Sequence, residues 1–505
     1  MKHKILVDLK PAFDGYAGIP QESRLLFACL NELDNIEIEG LLQHGNLYLK
    51  PGLKPNIKLT PAKKINKLSR IVISSTPTIQ SYFEKIFEKL KNKLKIYPLR
   101  LKAIFNIKLS LGTFEPNYFH DFIWRTFFSK TLGHNYKGTV TQSNYRVLQP
   151  SRQALHFTGL ANRYLGLAPI YPKLNTSGVR FLLAQTPFPA RVSQGTTLIV
   201  RYHDAVPVLM PHTISDNKFH QTSHFYALQD NVRSGAWFAC ISEATRRDLL
   251  TLFPEIEPRT TVIYNIVSEE FFETDSTKER VLQIISDRLG KIEFKKKGKE
   301  NNQSIPVNLK ALAFENIHSF QYIVAVGTIE PRKNYPFLLD VFEELKATNH
   351  PQLKLVIVGS LGWGYAPIIE KFTPLAARGD LFFLSDVPTN ELRILYQHAA
   401  ATLCPSVGEG FGYPGIEAMR CGGLVIASDI PVHREIYGDA SVYFDPYNIQ
   451  QATHIIDQTL TTKNDGEQLC NLLRNKGRCV SGNFLKESVL IQWQTFFEKI
   501  AKTTK

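Results

Sequence analysis

The sequence has no long hydrophobic run. A helix that crosses a bilayer needs about 20 consecutive apolar residues, and no stretch of the 505 residues approaches that. The first residues, MKHKILVDLKPAF, reach an aspartate too soon for a signal peptide and predict a first strand instead. We therefore expect a cytoplasmic protein.

Paired cysteines are also lacking. The six cysteines are scattered along the chain, and none has the CxxC spacing of metal-binding or redox motifs. Without a secretion signal, such cysteines are more typical of reduced thiols than of a disulfide framework.

Acidic residues are scarce in one segment. Residues 51–110 contain 14 Lys and Arg but only two acids, so they carry +12 of the formal net charge of +14. Within this segment, residues 83–94 place apolar side chains on one helical face and lysines on the others. Such a helix can lie on an anionic membrane or pack on its own domain, and both interpretations stand. Nucleic acid is a poorer partner, because no recognised nucleic-acid motif accompanies the charge.

The chain is too long for one ordinary core, so we expect two or more domains. Short apolar runs followed by a loop and a helical pattern recur in both halves, which predicts an α/β fold with doubly wound parallel sheets. Ile71–Ser75 is expected to be one of the strands. The predicted units are an N-terminal domain at 1–270 with a basic insertion at about 51–110, a polar insertion at 271–318, a second domain at 319–482, and a final helix at 483–505.

Two carboxylates flank a glycine-rich turn in the second half. Glu409 and Glu417 are eight residues apart, and the turn between them leads from a predicted strand into a predicted helix. Because the first N–H groups of a helix have no partner within it, this helix start is suited to phosphate.

Two cations occupy a similar place earlier in the same half. Arg332 and Lys333 follow the predicted strand Tyr322–Val326 and precede a predicted helix, which Asn334 is expected to cap. This position favours an anion. In the first half, His203 ends a predicted strand and is followed by Asp204, so we assign it to the site as well. Ser242 is predicted to be a helix N-cap.

The runs VGTIEPRKN and PSVGEGFGYPGIEA, and the spacing between them, resemble the retaining nucleotide-sugar glycosyltransferases of family 4. The likeness covers nearly all of residues 322–446, and the N-terminal half is similar in its glycine loop, in His203-Asp204 and in Ser242-Glu243. It implies the GT-B fold, in which two Rossmann-like domains face each other. The acceptor would bind mainly to the first domain and the donor mainly to the second.

The resemblance also implies roles for individual residues. Arg332 and Lys333 would neutralise the donor diphosphate. Glu409 would face the sugar, Glu417 would bind the ribose, and His203 would contact the transferring sugar. The other donor-binding positions that it implies are Gly18, Gly327, Gly362, Val387, Phe411, Gly412 and Tyr413. No metal or cofactor is implied, and no DxD-like cluster stands beside the motifs.

The implied activity is retaining transfer of a hexose from a nucleotide sugar to an acceptor. The runs RYHDAVP and GWG look most like bacterial mannosyltransferases of surface-polysaccharide assembly, such as O-antigen or capsule. They favour GDP-mannose over UDP-sugars, and a glycan or lipid-linked acceptor at the inner face of the plasma membrane. A nucleotide-sugar epimerase on the same fold and a non-catalytic binding module remain alternatives.

Overall fold

The computed structural model describes residues 2–16, 18–54, 58–76, 94–165, 167–214, 217–289, 320–461 and 465–503. The predicted basic helix at 83–94 lies outside these residues except for Leu94, and so does the predicted polar insertion from residue 290 onwards.

The described strands are β1 (His3–Asp8), β2 (Ile36–Leu42), β3 (Gly112–Phe114), β4 (Asn144–Val147), β5 (Phe181–Ala184), β6 (Thr197–Tyr202), β7 (Trp237–Cys240), β8 (Thr260–Val262), β9 (Tyr322–Val326), β10 (Lys354–Val358), β11 (Leu381–Leu384), β12 (Ala401–Cys404), β13 (Val425–Ser428) and β14 (Ser441–Phe444).

The described helices are α1 (Ile19–Leu30), α2 (Pro61–Ser75), α3 (94–104), α4 (His120–Ile123), α5 (Lys137–Gln142), α6 (Arg152–Leu160), α7 (Val206–Leu209), α8 (Asn217–Arg233), α9 (Glu243–Leu252), α10 (Lys278–Arg288), α11 (Tyr335–Thr348), α12 (Ala366–Arg378), α13 (Thr389–His398), α14 (Tyr413–Arg420), α15 (Pro431–Tyr437), α16 (Ile449–Leu460), α17 (Asp465–Gly482) and α18 (Lys486–Thr503).

These strands form two open sheets. The first has the order β3-β4-β2-β1-β5-β6-β7-β8, and its strands are parallel except that β3 runs antiparallel to β4. The second has the order β11-β10-β9-β12-β13-β14 and is parallel throughout. Strands such as YIVAV in β9 and KLVIV in β10 are buried almost end to end, as expected where helices cover both faces of a parallel sheet.

Each sheet reverses its strand order at one place. In the first sheet the reversal is at β1, which pairs with β2 and β5, and in the second it is at β9, which pairs with β10 and β12. Loops that follow the strands at such a reversal border the crevice where ligands bind in open α/β sheets. Gly18 stands in the loop after β1, and Arg332 and Lys333 stand in the loop after β9.

The last two helices pack on different sheets. α17 contacts α14 beside the second sheet, whereas α18 inserts its aromatic face into the core of the first. There the Phe497 ring lies 5.3 Å from that of Phe181, and the Phe496 ring lies 6.0 Å from that of Trp237, as measured between centroids. The last described helix therefore packs on the sheet that contains β1.

Two predictions of local structure were wrong. Ile71–Ser75 is not a strand but the last part of α2, because Leu68, Ile71 and Ser75 are buried at helical spacing. Asn334 does not cap the next helix with its side chain. Its φ of 57° is left-handed, and its amide donates instead to the carbonyl of Pro446 at 2.9 Å. The predicted N-cap at Ser242 is confirmed, since its hydroxyl accepts the N–H of Thr245 at 3.1 Å.

We predict that Trp493→Ala lowers the free energy of unfolding by about 3–5 kcal/mol, because the indole is fully buried between α18 and the first sheet. The urea unfolding midpoint would report this loss. Ile491→Ala on the same helix is the control, since its side chain is 67% exposed and should change little. Equal midpoints for the two variants would contradict the packing described.

Candidate active site

Glu409 lies at the centre of a cluster in the turn between β12 and α14. Its Oε2 accepts from Arg332 Nη1 at 2.7 Å, and its Oε1 accepts from Lys333 Nζ at 2.5 Å and from Ser406 Oγ at 2.7 Å. The carboxylate is almost buried and is held by three donors. The structure thus brings Glu409 of one predicted motif together with Arg332 and Lys333 of the other.

Neighbouring strands explain why the cluster forms. β9 and β12 are adjacent and parallel, so the loops at their carboxyl ends meet at one edge of the sheet. After β9 the chain makes a single 3-10 turn, Pro331–Lys333, which starts with proline. From this turn Arg332 also donates to the Gly408 carbonyl at 2.8 Å and to Glu330 Oε1 at 2.7 Å. The guanidinium therefore ties the two loops together.

The charges keep Glu409 ionised. Burial acts to raise the pKa of Glu409, but the charges of Arg332 and Lys333 outweigh it and hold the pKa well below its ordinary value. Burial raises the pKa of Glu330, and the two cations act in the opposite direction. Two carboxyls thus face two cations, and Glu409 is the one whose ionisation they secure.

Glu417 lies on α14 and is buried between the two sheets. Its Oε1 accepts from Gln21 Nε2 at 3.0 Å, and its Oε2 accepts from the Tyr396 hydroxyl at 3.0 Å. Gln21 stands in the first turn of α1, three residues after Gly18. Burial raises the pKa of Glu417 to about 7, although both hydrogen bonds oppose the rise. The predicted ribose ligand is therefore also a contact to the other sheet, which the sequence did not reveal.

The predicted phosphate-binding turn is closely packed. Helix α14 begins at Tyr413, after Gly412 with a left-handed φ of 88°. A Cβ atom on Gly412 would lie 2.4 Å from the hydroxyl of Tyr437, so a larger residue has no room. The rings of Phe411 and Tyr413 are buried and lie 5.1 Å apart. Phosphate binding by the N–H groups of this turn stays a prediction.

His203 meets this turn from the first sheet. A Cβ atom on Gly410 would lie 2.0 Å from the His203 carbonyl oxygen, so only glycine permits the approach. Ser242 reinforces it, because its Oγ donates to the Gly410 carbonyl at 2.8 Å. Burial lowers the pKa of His203 well below 6.5, so the imidazole is neutral. Among the described residues, none forms a hydrogen bond with its Nε2.

The remaining predicted donor-binding residues all follow strands. Gly18 has a φ of 65° and immediately precedes α1. The carbonyl of Gly327 accepts from the Tyr335 hydroxyl at 2.9 Å, and the N–H of Gly362 donates to the Ile329 carbonyl at 3.0 Å. Both glycines thus lie beside the loop that carries Arg332. Val387 follows β11 at the far edge of the second sheet.

Further contacts join the two sheets around this site. In the half that contains the first sheet, Glu22 and Arg201 form a fully buried ion pair at 3.0 Å. The Tyr413 hydroxyl crosses from the other half and donates to Glu22 at 2.8 Å. Glu435 accepts the first N–H groups of α9 at 2.6 and 2.9 Å, and Trp363 Nε1 donates to the Thr213 carbonyl at 2.6 Å. No sequence pattern pointed to these pairs, because each joins residues more than 140 positions apart.

Part of the chain matches a known family. Residues 313–478 match the family described as glycosyl transferases group 1. O-antigen chain mannosyltransferase B of Escherichia coli is 33% identical over 139 residues, which are 28% of this chain and 36% of that protein. O-antigen chain mannosyltransferase RfbU of Salmonella typhimurium is 26% identical over 252 residues, 49% of this chain and 61% of that protein. Each match thus covers less than two thirds of the relative.

Solved structures match nearly the whole chain. Sucrose-phosphate synthase from Thermosynechococcus elongatus gives a TM-score of 0.58 at 12% identity over 99% of this chain and 100% of that one. Anabaena HepE in complex with UDP and glucose gives a TM-score of 0.54 at 14% identity over 98% of this chain and 99% of that one. This chain has the GT-B fold. The predicted fold is therefore confirmed, and the Glu409 cluster lies where the two halves of the GT-B fold meet.

Metal ligands were not expected, and that stays a prediction. In the part of the chain that the structure describes, no three His, Cys, Asp or Glu side chains are grouped as metal ligands.

We predict that Glu417→Gln stabilises the protein at pH 8 but not at pH 5. Because burial raises the pKa of Glu417 from 4.5 to about 7, the folded state binds its proton more tightly than the unfolded state does. The stability that protonated Glu417 contributes is thus fully present below pH 4.5 and is lost as the pH rises to about 7. Ionised Glu417 then costs up to ~3 kcal/mol, which the neutral amide avoids.

Thermal unfolding at both pH values would measure this. Glu343→Gln is the matched control, because that carboxylate is 54% exposed and pairs with Arg378 on the surface. A gain for Glu417→Gln that is the same at pH 5 and pH 8 would contradict a raised pKa.

Proposed function

We propose that this chain is a retaining glycosyltransferase of family 4 that transfers a hexose from a nucleotide sugar to a glycan or lipid-linked acceptor. One observation carries the proposal. Within the segment that matches glycosyl transferases group 1, Arg332 and Lys333 converge on an ionised Glu409 at the junction of the two sheets. A nucleotide sugar has an anionic diphosphate and a neutral sugar. This cluster offers two cations for the diphosphate and a carboxylate for the sugar.

The two cations would stabilise the leaving nucleoside diphosphate. An arginine has five N–H hydrogens and a lysine has three, so neither residue is saturated by its bond to Glu409. Their charges would act most strongly as negative charge develops on the phosphate oxygen. This role needs no metal ion, so we propose a metal-independent reaction.

Glu409 would stabilise positive charge on the sugar rather than attack it. Its oxygens accept three hydrogen bonds from charged or hydroxyl donors, and the cations hold its pKa low, so the carboxylate is a weak nucleophile. These properties favour a front-face reaction with an oxocarbenium-like transition state. The glycosidic bond to the phosphate breaks and the acceptor oxygen bonds to the same face. The leaving phosphate takes the acceptor proton.

Other residues would position the donor. We propose that Glu417 accepts hydrogen bonds from the ribose hydroxyls. The N–H groups of Phe411, Gly412 and Tyr413 would bind phosphate or sugar oxygens. Gly18 would approach the phosphates from the first sheet, and the neutral His203 would donate or accept one hydrogen bond with the sugar.

Gly327, Gly362 and Val387 complete the proposed donor site. The two glycines border the loop that carries the cations, and Val387 would contact the base.

The proposed donor is GDP-mannose. The relatives that match parts of this chain are named as mannosyltransferases of O-antigen chains, which supports mannose and a surface polysaccharide such as O-antigen or capsule. UDP-sugars are the second candidate, because HepE binds UDP and glucose on a similar fold. We propose that the protein works in the cytoplasm at the inner face of the plasma membrane.

An epimerase or a non-catalytic module would behave differently. Incubating the protein with labelled GDP-mannose or UDP-glucose, with and without a glycan acceptor, distinguishes a transferase from both alternatives. A transferase releases nucleoside diphosphate and labels the acceptor, an epimerase converts the sugar without any acceptor, and a binding module does neither.

We predict that Glu409→Gln and Lys333→Ala each lower turnover by about 100-fold or more, the scale for losing one preorganised electrostatic group. Sugar transfer to a soluble acceptor at saturating donor would measure it. Lys371→Ala is the control, since this lysine is half exposed on α12 and pairs with Asp340. Near-wild-type turnover in either test variant would disprove the assigned roles.

A further inference from the structure

Large apolar side chains are exposed together on α3 and the loop after it. We call them the apolar stripe. Its members are Leu94, Tyr97, Leu101, Ile104, Phe105 and Ile107, and their exposed fractions range from 48% to 70%. The helical members recur at spacings of three and four residues, so they share one face. Single exposed apolar residues are normal on a protein surface, whereas a group of this size marks an interaction site.

The opposite face of α3 fixes the helix to the protein. Leu99 and Ala103 are each only 7% exposed, and Leu99 belongs to the same buried cluster as Leu148 and Leu155. Arg100 adds a hydrogen bond of 2.9 Å to Asn162. The helix therefore has a core-facing side already, and the apolar stripe is a second apolar side that the described part of the chain leaves uncovered.

The segment that carries the apolar stripe has charges of one sign. Residues 94–110 contain Lys95, Arg100, Lys102 and Lys108 and no aspartate or glutamate. Lys102 and Lys108 are exposed beside the stripe. The segment combines aromatic and aliphatic side chains with cations and has no acids. Such a segment is complementary to the surface of an anionic membrane, where negatively charged headgroups lie above apolar tails.

The apolar stripe lies on the side of the first sheet where the site opens. The Lys95 ammonium is 4.4 Å from the ring centroid of Tyr48, which belongs to the loop after β2. The chain then enters β3 at Gly112, opposite Val147 at the carboxyl end of β4. Helix α3 is thus next to the same sheet edge that carries Gly18 and His203.

We propose that the apolar stripe docks this protein on the surface of an anionic lipid bilayer. The tyrosine, phenylalanine and aliphatic side chains enter the headgroup region, and Lys102 and Lys108 bind lipid phosphates. None of the described helices is both long and apolar enough to cross a bilayer. The proposed contact lies in the plane of the membrane. Docking rests on the proposed location at the inner face of the plasma membrane, and it names the surface that would bring the site to a lipid-linked acceptor.

Vesicle co-sedimentation tests the docking without depending on enzyme activity. The full chain is mixed with vesicles of phosphatidylcholine containing 30% phosphatidylglycerol, or of phosphatidylcholine alone, at about 0.15 M salt. We expect binding to the anionic vesicles, weaker binding to the neutral ones, and loss of binding at high salt. Lys102→Gln with Lys108→Gln should weaken binding roughly 25-fold, at about fivefold for each cation.

A second variant tests the apolar contribution. Tyr97→Ser with Phe105→Ser should reduce binding to the anionic vesicles by on the order of 10-fold or more. Ile491→Ser on α18 is the matched control, because it removes an equally exposed apolar residue elsewhere and should bind as the wild type does. Transfer to a water-soluble acceptor should be unchanged in every variant, so failure of docking and failure of the enzyme assignment are read separately.

Three outcomes would overturn the proposal. One is wild-type binding that does not distinguish anionic from neutral vesicles. Another is undiminished binding by both double variants. The third is a wild-type dimer in light scattering that becomes a monomer in the Tyr97→Ser, Phe105→Ser variant, because the apolar stripe would then be an interface between two copies of the chain.

Discussion

The ion pairs of Glu409 with Arg332 and Lys333 determine the architecture of the site. A buried carboxylate is costly unless it is paired and hydrogen-bonded, and here two cations and a serine hydroxyl satisfy it. In return, the carboxylate holds two flexible cationic side chains in one geometry. Because β9 and β12 are neighbours, a single acid fixes the positions of groups that are 76 and 77 residues away in the sequence.

The turn between β12 and α14, which carries Glu409, is also the place where the two sheets meet. Gly410 contacts the His203 carbonyl, Ser242 donates to Gly410, and Glu417 accepts from Gln21. Residues proposed to bind the donor are therefore also the residues that join the halves of the GT-B fold. Donor binding and the contact between the sheets are therefore linked, since a substitution of Glu417 that disturbs donor binding also removes its hydrogen bond with Gln21.

The sequence predicted much of this in advance, for identifiable reasons. Buried parallel strands have nearly continuous apolar runs, so the strand predicted at Tyr322–Val326 has the bounds that β9 has in the structure. The Glu409 cluster was predicted only as separate motifs with assigned roles. Its partners Glu330 and Ser406 are ordinary polar residues whose importance depends on which strands are neighbours. The prediction of a strand at Ile71–Ser75 was wrong because a short apolar run fits a helix or a strand equally well.

A crystal structure of the protein with GDP-mannose would test the central claim most directly. We predict that diphosphate oxygens lie within hydrogen-bond distance of Arg332 and Lys333, that the ribose hydroxyls reach Glu417, and that the mannose lies beside Glu409. A diphosphate bound away from both cations, with the Glu409 ion pairs unchanged, would contradict the account.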